Sequence, residues 1–281
     1  MNLYVKKIDN ISFLFIFEYN FTGDILEINK GDFVTRKSYN HDTIFKVINI
    51  KDGIYYLKGA EVRLYADSDI LDLVKCDKPS EEFIKEDRAT EEIEKNDYFY
   101  LPGKILHIDG DNEYLDKCLK YYKYAGVFAI GKKIKEEDIY EQINLLLKEY
   151  KPDIVIITGH DAYYKKKGSI KNNENYKNTK NFIKAVKAAR NYEKSHEKLV
   201  IIAGACQSNY EELIKAGANY ASSPKRVNIH ALDPAIIAVN IALTERNREI
   251  NLKAILEKTK YGKDGMGGIM GNGLMYVGYP R

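Results

Sequence analysis

Two side chains stand where thiol chemistry could be assembled. VIITGHDAYY at 155–164 and VIIAGACQSN at 200–209 each pass from an apolar strand pattern through a glycine turn to a reactive residue, His160 and Cys206. An unassisted thiol, with a pKa of about 8.5, is only partly ionised at neutral pH, and the thiolate is the nucleophile. A neighbouring imidazole can take the thiol proton. The thiolate then attacks a carbonyl, the imidazolium protonates the departing amine, and water hydrolyses the acyl-thioester. Backbone N–H groups at Gly159, His160 and Cys206 are candidates for holding the oxyanion. The rival reading makes Cys206 a small hydrophobe ending a buried strand, since free cysteine is often buried. The equivalent placement of His160 and Cys206 at two strand ends favours chemistry.

These residues need a sheet to bring them together. KILHID (104–109), GVFAIG (126–131), DIVIITG (153–159) and KLVIIAGA (198–205) read as four strands, with VNIHAL (227–232) as a fifth. Helical spacing marks 111–124, 136–150 and 179–192 between them, then a short helix at 211–216. Asp233-Pro234 reads as an N-cap and N1 pair before AIIAVNIAL, and 251–259 as another helix. The strands are continuous apolar runs, so both faces must be covered, as in a parallel sheet between helices. The strand carboxyl ends then share one edge, where ligands bind. The third and fourth strands, consecutive in the chain, are expected to be neighbours. The tail 262–273 reads as a flexible glycine-rich loop, with a last strand at 273–279.

Ahead of this lies a different texture. Residues 28–75 hold short strands at 44–50, 54–59 and 62–66 with an Asp52-Gly53 hairpin turn, read as a small SH3-like β module. Residues 76–98 are a charged linker, 1–27 an atypical amino-terminal segment, and 99–281 the α/β domain. ISFLFIF at 11–17 is too short for a membrane span, which needs about 20 residues, and is not read as a signal peptide.

The 281 residues are 44% hydrophobic with a net charge of +3. That balance does not argue for nucleic acid. Cys76, Cys118 and Cys206 are far apart, which disfavours a disulfide scaffold or a cysteine zinc site. No phosphate-binding glycine motif occurs. Neither cofactor nor metal is expected. His107, before the end of its strand with Asp109 and Asp111 close by, reads as packed. His230, three residues before Asp233, is the alternative partner for Cys206. His41 and His196 look like surface residues, and Glu211 and Glu212 like solvated helix positions.

The sequence resembles known peptidases. Ala205-Cys206-Gln207 fits the pattern around the caspase cysteine, while Gly204 and Ser208 depart from it. The wider caspase–hemoglobinase superfamily is similar, although Asp161 stands where it usually has glycine. A closer resemblance is to the YabG family of sporulation-specific, coat-processing cysteine peptidases. It is carried by GDFVTRKSYNHDTIFKV (31–47), KILHIDGD (104–111), DIVIITGHDAYY (153–164) and LVIIAGACQSNYEELIKAGANYASSPKRVNIHALDP (199–234).

This resemblance implies a caspase-like sandwich and a His160–Cys206 dyad. It also implies spore coat and cortex-associated protein substrates, met in the mother cell or on the forming coat, and cleavage after arginine. An arginine pocket calls for a carboxylate, and Asp161 and Asp233 are the candidates. Lys165, Lys166 and Lys167 could guide an acidic substrate or form a solvated loop. Two rival readings stay open: a cysteine amidase or glutaminase, and a non-catalytic coat assembly protein.

Overall fold

The computed structural model describes residues 27–79 and 98–280. The amino-terminal segment and the charged linker lie almost entirely outside the described residues.

Five strands come first: β1 (Phe33–Arg36), β2 (Phe45–Lys51), β3 (Ile54–Gly59), β4 (Tyr65–Asp69) and β5 (Leu73–Cys76). They form an antiparallel sheet in the order β4-β3-β2-β1-β5. Asp52 and Gly53 both adopt positive φ, as the two-residue hairpin between β2 and β3 requires. Val34, Phe45, Val47, Tyr55, Leu57 and Leu73 bury one face. The expected strand at 62–66 is displaced, because β4 starts only at Tyr65. The Gly59 N–H bonds Leu64 O at 2.7 Å and closes a loop. Val62 instead forms an antiparallel bridge with His230 of the α/β part.

The larger part runs β6 (Phe99–Leu101), β7 (Ile105–Asp109), α1 (Asn112–Tyr124), β8 (Ala129–Lys133), α2 (Ile139–Tyr150), β9 (Ile154–Thr158), α3 (Thr179–Tyr192), β10 (Val200–Ala203), α4 (Tyr210–Lys215), β11 (Tyr220–Ser222), α5 (Asp233–Leu243), α6 (Leu252–Glu257), α7 (Gly262–Gly265), β12 (Met266–Gly268) and β13 (Tyr276–Gly278). Six strands form one sheet in the order β12-β11-β10-β9-β7-β8, parallel except for β12. β6 pairs with β13.

The apolar runs are explained by alternation across two covered faces. Ile105, Ile154, Ile156, Val200 and Ile202 pack with α1 and α5. Leu106, Ile108, Val155, Ile157, Ile201 and Ala203 pack with α2, α3 and α4. Successive strand residues point to opposite faces, so a strand between two helical layers is apolar at every position. Helix α5 is buried nearly all round, as befits a helix without a solvent face.

Several expectations need correction. The fifth strand is β11, not 227–232, whose backbone forms an isolated bridge to Val62. The strand expected at 126–131 starts at Ala129. Leu232, not Asp233, is the N-cap of α5; Asp233 is already helical. The glycine-rich tail is ordered, since α7 and β12 fall within it and β12 closes the edge of the sheet beside β11.

Candidate active site

Parallel pairing of β9 and β10 places Ile157 beside Ala203. Thr158 Oγ1 donates to Gly204 O at 2.9 Å, and Gly204 N–H to Ile157 O at 3.0 Å. The chain leaves both strands at one level, and His160 and Cys206 follow on adjoining strand ends. Asp161 ties the two loops together. Its carboxylate accepts from Thr179 Oγ1 at 2.5 Å and Asn178 N at 2.7 Å in one direction, and from Ser208 Oγ at 2.8 Å in the other. Ser208 Oγ in turn accepts the Ala205 N–H at 2.9 Å.

His160 is buried between acidic and aromatic neighbours. Its Nδ1 lies 3.5 Å from Glu136 Oε1, and the same oxygen accepts its backbone N–H at 2.7 Å. A proton on Nδ1, facing that carboxylate, leaves Nε2 as the basic nitrogen. Nε2 lies 3.7 Å from Asp111 Oδ2 and has no hydrogen-bond partner among the described residues. The Tyr65 and Tyr114 rings stand 4.6 Å and 5.8 Å from the imidazole, centroid to centroid. Burial pushes the Glu136 carboxyl up, but the hydrogen bonds from the His160 ring and backbone outweigh it and hold it below its ordinary value.

Glu136 arrives from the turn between β8 and α2 and lies directly against the backbone. A Cβ on Gly159, or on Gly110, would collide with its carboxylate. Gly159→Ala is therefore expected to cost about 1–3 kcal/mol of stability and to displace Glu136 from the ring. A urea midpoint and activity both equal to wild type would refute this.

Cys206 is fully buried and is a free thiol. Its Sγ accepts the Ile229 N–H at 3.3 Å, and the Arg63 N–H also faces it. Burial pushes the thiol up to about 11, against the pull of these N–H groups and of the Arg63 guanidinium. Gln207 follows in the left-handed region at φ 58°, held by Ser223 Oγ on its N–H and by Tyr163 N–H on its side chain. A residue held in this region needs its surroundings to keep it there.

The β sheet reaches into this site. Tyr114 Oη donates to Gly59 O and Val62 O at 2.7 and 2.8 Å, and Ala231 N–H to Glu61 O at 2.8 Å. The fully buried Arg63 pairs with Asp109 at 2.5 Å through Nη1 and donates to Ala231 O at 3.1 Å through Nη2. Burial raises the Asp109 carboxyl, but the guanidinium and His107 overcome it and hold it down at about 2. Lys58 pairs with Asp111 at 2.7 Å, and Tyr65 Oη donates to the same carboxylate at 3.2 Å.

The other sequence candidates fall as follows. Asp233 accepts the His230 and Lys260 N–H groups at 2.8 and 3.0 Å. Both Asp161 and Asp233 are thus engaged by the chain's own donors, and the carboxylate holding a guanidinium here is Asp109. The His160 N–H is taken by Glu136, whereas those of Gly159 and Cys206 have no partner among the described residues. His230 Nδ1 accepts the Leu232 N–H at 3.1 Å, and burial pushes the ring down to about 4. His107 is buried, with Nδ1 2.7 Å from Tyr122 Oη. Lys165–Lys167 form an exposed turn. Glu211 is paired with Arg226 rather than merely solvated. Among the described residues no group of three or more His, Cys, Asp or Glu side chains is placed to hold a metal.

Sequence reasoning passed over Glu136 and Arg63 and saw Asp109 and Asp111 only as neighbours of His107. The signal for Asp109 and Asp111 was their position after an apolar strand. Nothing local marks Glu136 or Arg63.

Together the sheet and its strand-end side chains define an α/β protein whose titratable groups converge at the carboxyl edge of a parallel sheet. The family profile described as YabG peptidase U57 matches residues 29–92 and 78–280. The sporulation-specific protease YabG of Bacillus subtilis (strain 168) is 42% identical over 286 residues, covering 91% of this chain and 99% of that protein. The chain belongs to the YabG peptidase family. No helix among the described residues is long and apolar enough to cross a membrane.

Proposed function

We propose that the protein is a sporulation-specific cysteine endopeptidase that cleaves spore coat and cortex-associated proteins after arginine. His160 is the base and Cys206 the nucleophile. The observation that carries this reading is the delivery of both residues to adjoining ends of β9 and β10, with His160 Nε2 free of any hydrogen-bond partner among the described residues. His160 Nε2 takes the Cys206 proton as the thiolate attacks the scissile carbonyl, and the new C–S bond gives a tetrahedral oxyanion. The Gly159 and Cys206 N–H groups are the donors available to it. The imidazolium passes its proton to the leaving amine as the C–N bond breaks, and a water activated by the same nitrogen hydrolyses the acyl-thioester. Glu136 orients the ring and offsets its charge while it is protonated.

We read residues 99–281 as a caspase-like sandwich and 28–75 as an SH3-like module. The chain would work in the mother cell or at the forming coat. The committed Nδ1 of His230 and its depressed pKa count against pairing it with Cys206.

The test is cleavage-site mass spectrometry on a denatured protein mixture, with Cys206→Ala in parallel. New termini only with the intact chain, enriched after arginine, are expected. Equal termini from both folded preparations would defeat the nucleophile assignment.

A further inference from the structure

The thiol that the peptidase reading requires is covered, and its cover has the features of a peptide ligand. Residues 59–65 lie along the site without a break. Gly59 O and Val62 O take the Tyr114 hydroxyl, and Ala60 O takes Lys117 Nζ at 2.6 Å. Glu61 O takes the Ala231 N–H, Val62 bridges His230 antiparallel, and the Tyr65 ring lies against His160. Adding a strand to an exposed backbone edge is how extended peptides are commonly bound, with side-chain pockets supplying specificity. Here the side chain is an arginine, the pocket is closed by Asp109 and Ala231 O, and the N–H of the same residue faces Cys206.

We propose that Glu61–Leu64 occupies the substrate cleft as an internal stand-in: Arg63 fills an arginine pocket whose carboxylate is Asp109, and the segment must leave before a substrate arginine can enter. This rests on the His160–Cys206 reading and adds to it the specificity residue and a latent state.

Two features make the occupant displaceable and uncleaved. The guanidinium reaches Asp109 through one nitrogen rather than as a two-pronged pair, and Nε has no partner among the described residues. A substrate arginine free to dock can improve on both. The Leu64 N–H also folds back to Val62 O at 2.8 Å, so the chain turns at Arg63 instead of presenting an extended scissile bond. The Asp109 carboxyl stays ionised throughout the neutral range, so release comes from displacement of the segment rather than from a change of pH.

The test labels Cys206 of the full chain with a peptidyl-arginine chloromethyl ketone and follows melting with agmatine, a small guanidinium compound. Arg63→Ala is expected to label at least ten times faster than wild type. Agmatine is expected to slow that labelling and raise the melting temperature of Arg63→Ala, and to do neither in Arg63→Ala/Asp109→Asn. Arg63→Gln, which keeps a donor for Ala231 O, serves if the alanine variant does not fold. Folded Arg63 variants labelled at the wild-type rate would overturn the latent state, and faster labelling without a response to agmatine would overturn the pocket. A response to agmatine with no labelling of any variant would sink the dyad and leave the pocket standing.

Discussion

Replacing His160 with alanine is expected to lower kcat/KM for an arginine-containing peptide by about 10²–10⁴-fold, the usual range for losing a positioned acid–base group. The loss should fall mainly on kcat. In the proposed mechanism His160 moves protons at both the attack and the departure of the amine, whereas the proposed pocket and strand edge lie on other residues. Glu136→Gln is the informative companion. The amide keeps an acceptor for the His160 N–H but removes the negative charge facing Nδ1. A smaller fall, about tenfold, is expected, again in kcat with KM held; a charge–neutral hydrogen bond replacing a charge-assisted one loses roughly that much. Steady-state kinetics across pH on folded variants checks both. Near-wild-type kcat/KM for His160→Ala at every pH would move the base elsewhere.

Asp109→Asn is expected to be the most destabilising single exchange at the site, by about 3–5 kcal/mol, because it strands the Arg63 guanidinium in the interior without its counter-charge. Asp109 and Arg63 are both fully buried, so the loss is not cushioned by water. Arg63→Met/Asp109→Asn removes both charges and should recover much of the deficit. Denaturant melts of the two single variants and the double variant measure the coupling, and additivity of the single effects would refute it.

The pair also has a pH signature with a defined sign. The folded-state pKa of Asp109 is depressed to about 2 from its ordinary value of 3.8. Its contribution is therefore fully present above about pH 4 and is lost as pH falls through 2, where the folded carboxylate takes up its proton. Acid unfolding of Asp109→Asn should lack that component.

How much of this was legible beforehand depends on the range of each signal. The inner strands β7, β9 and β10 could be read from their apolar runs, and the helix at 179–192 from its spacing, because hydrophobic patterning reports which faces an element buries. The same patterning misled at 62–66 and 227–232. At 62–66 only Tyr65 and Ala66 join a strand, β4, and 227–232 holds none; the two stretches bridge each other once, at Val62 and His230. The glycine-rich tail carried no pattern at all, and its β12 is ordered by pairing along β11.

By itself, the sequence determined a doubly covered, mostly parallel sheet, membership in a peptidase family, and the emergence of His160 and Cys206 from consecutive strands. Those are properties of single segments or of neighbours in the chain. Only the tertiary structure decided that Glu136 faces His160 and that Asp161 braces the two loops. It also decided that Arg63, on the loop between β3 and β4, lies beside Cys206 with its charge on Asp109. Arg63, in the loop between β3 and β4, and Asp109, at the end of β7, stand 46 residues apart, and an ion pair leaves no periodicity in a sequence. It becomes visible only where burial has removed the water that would otherwise separate the charges.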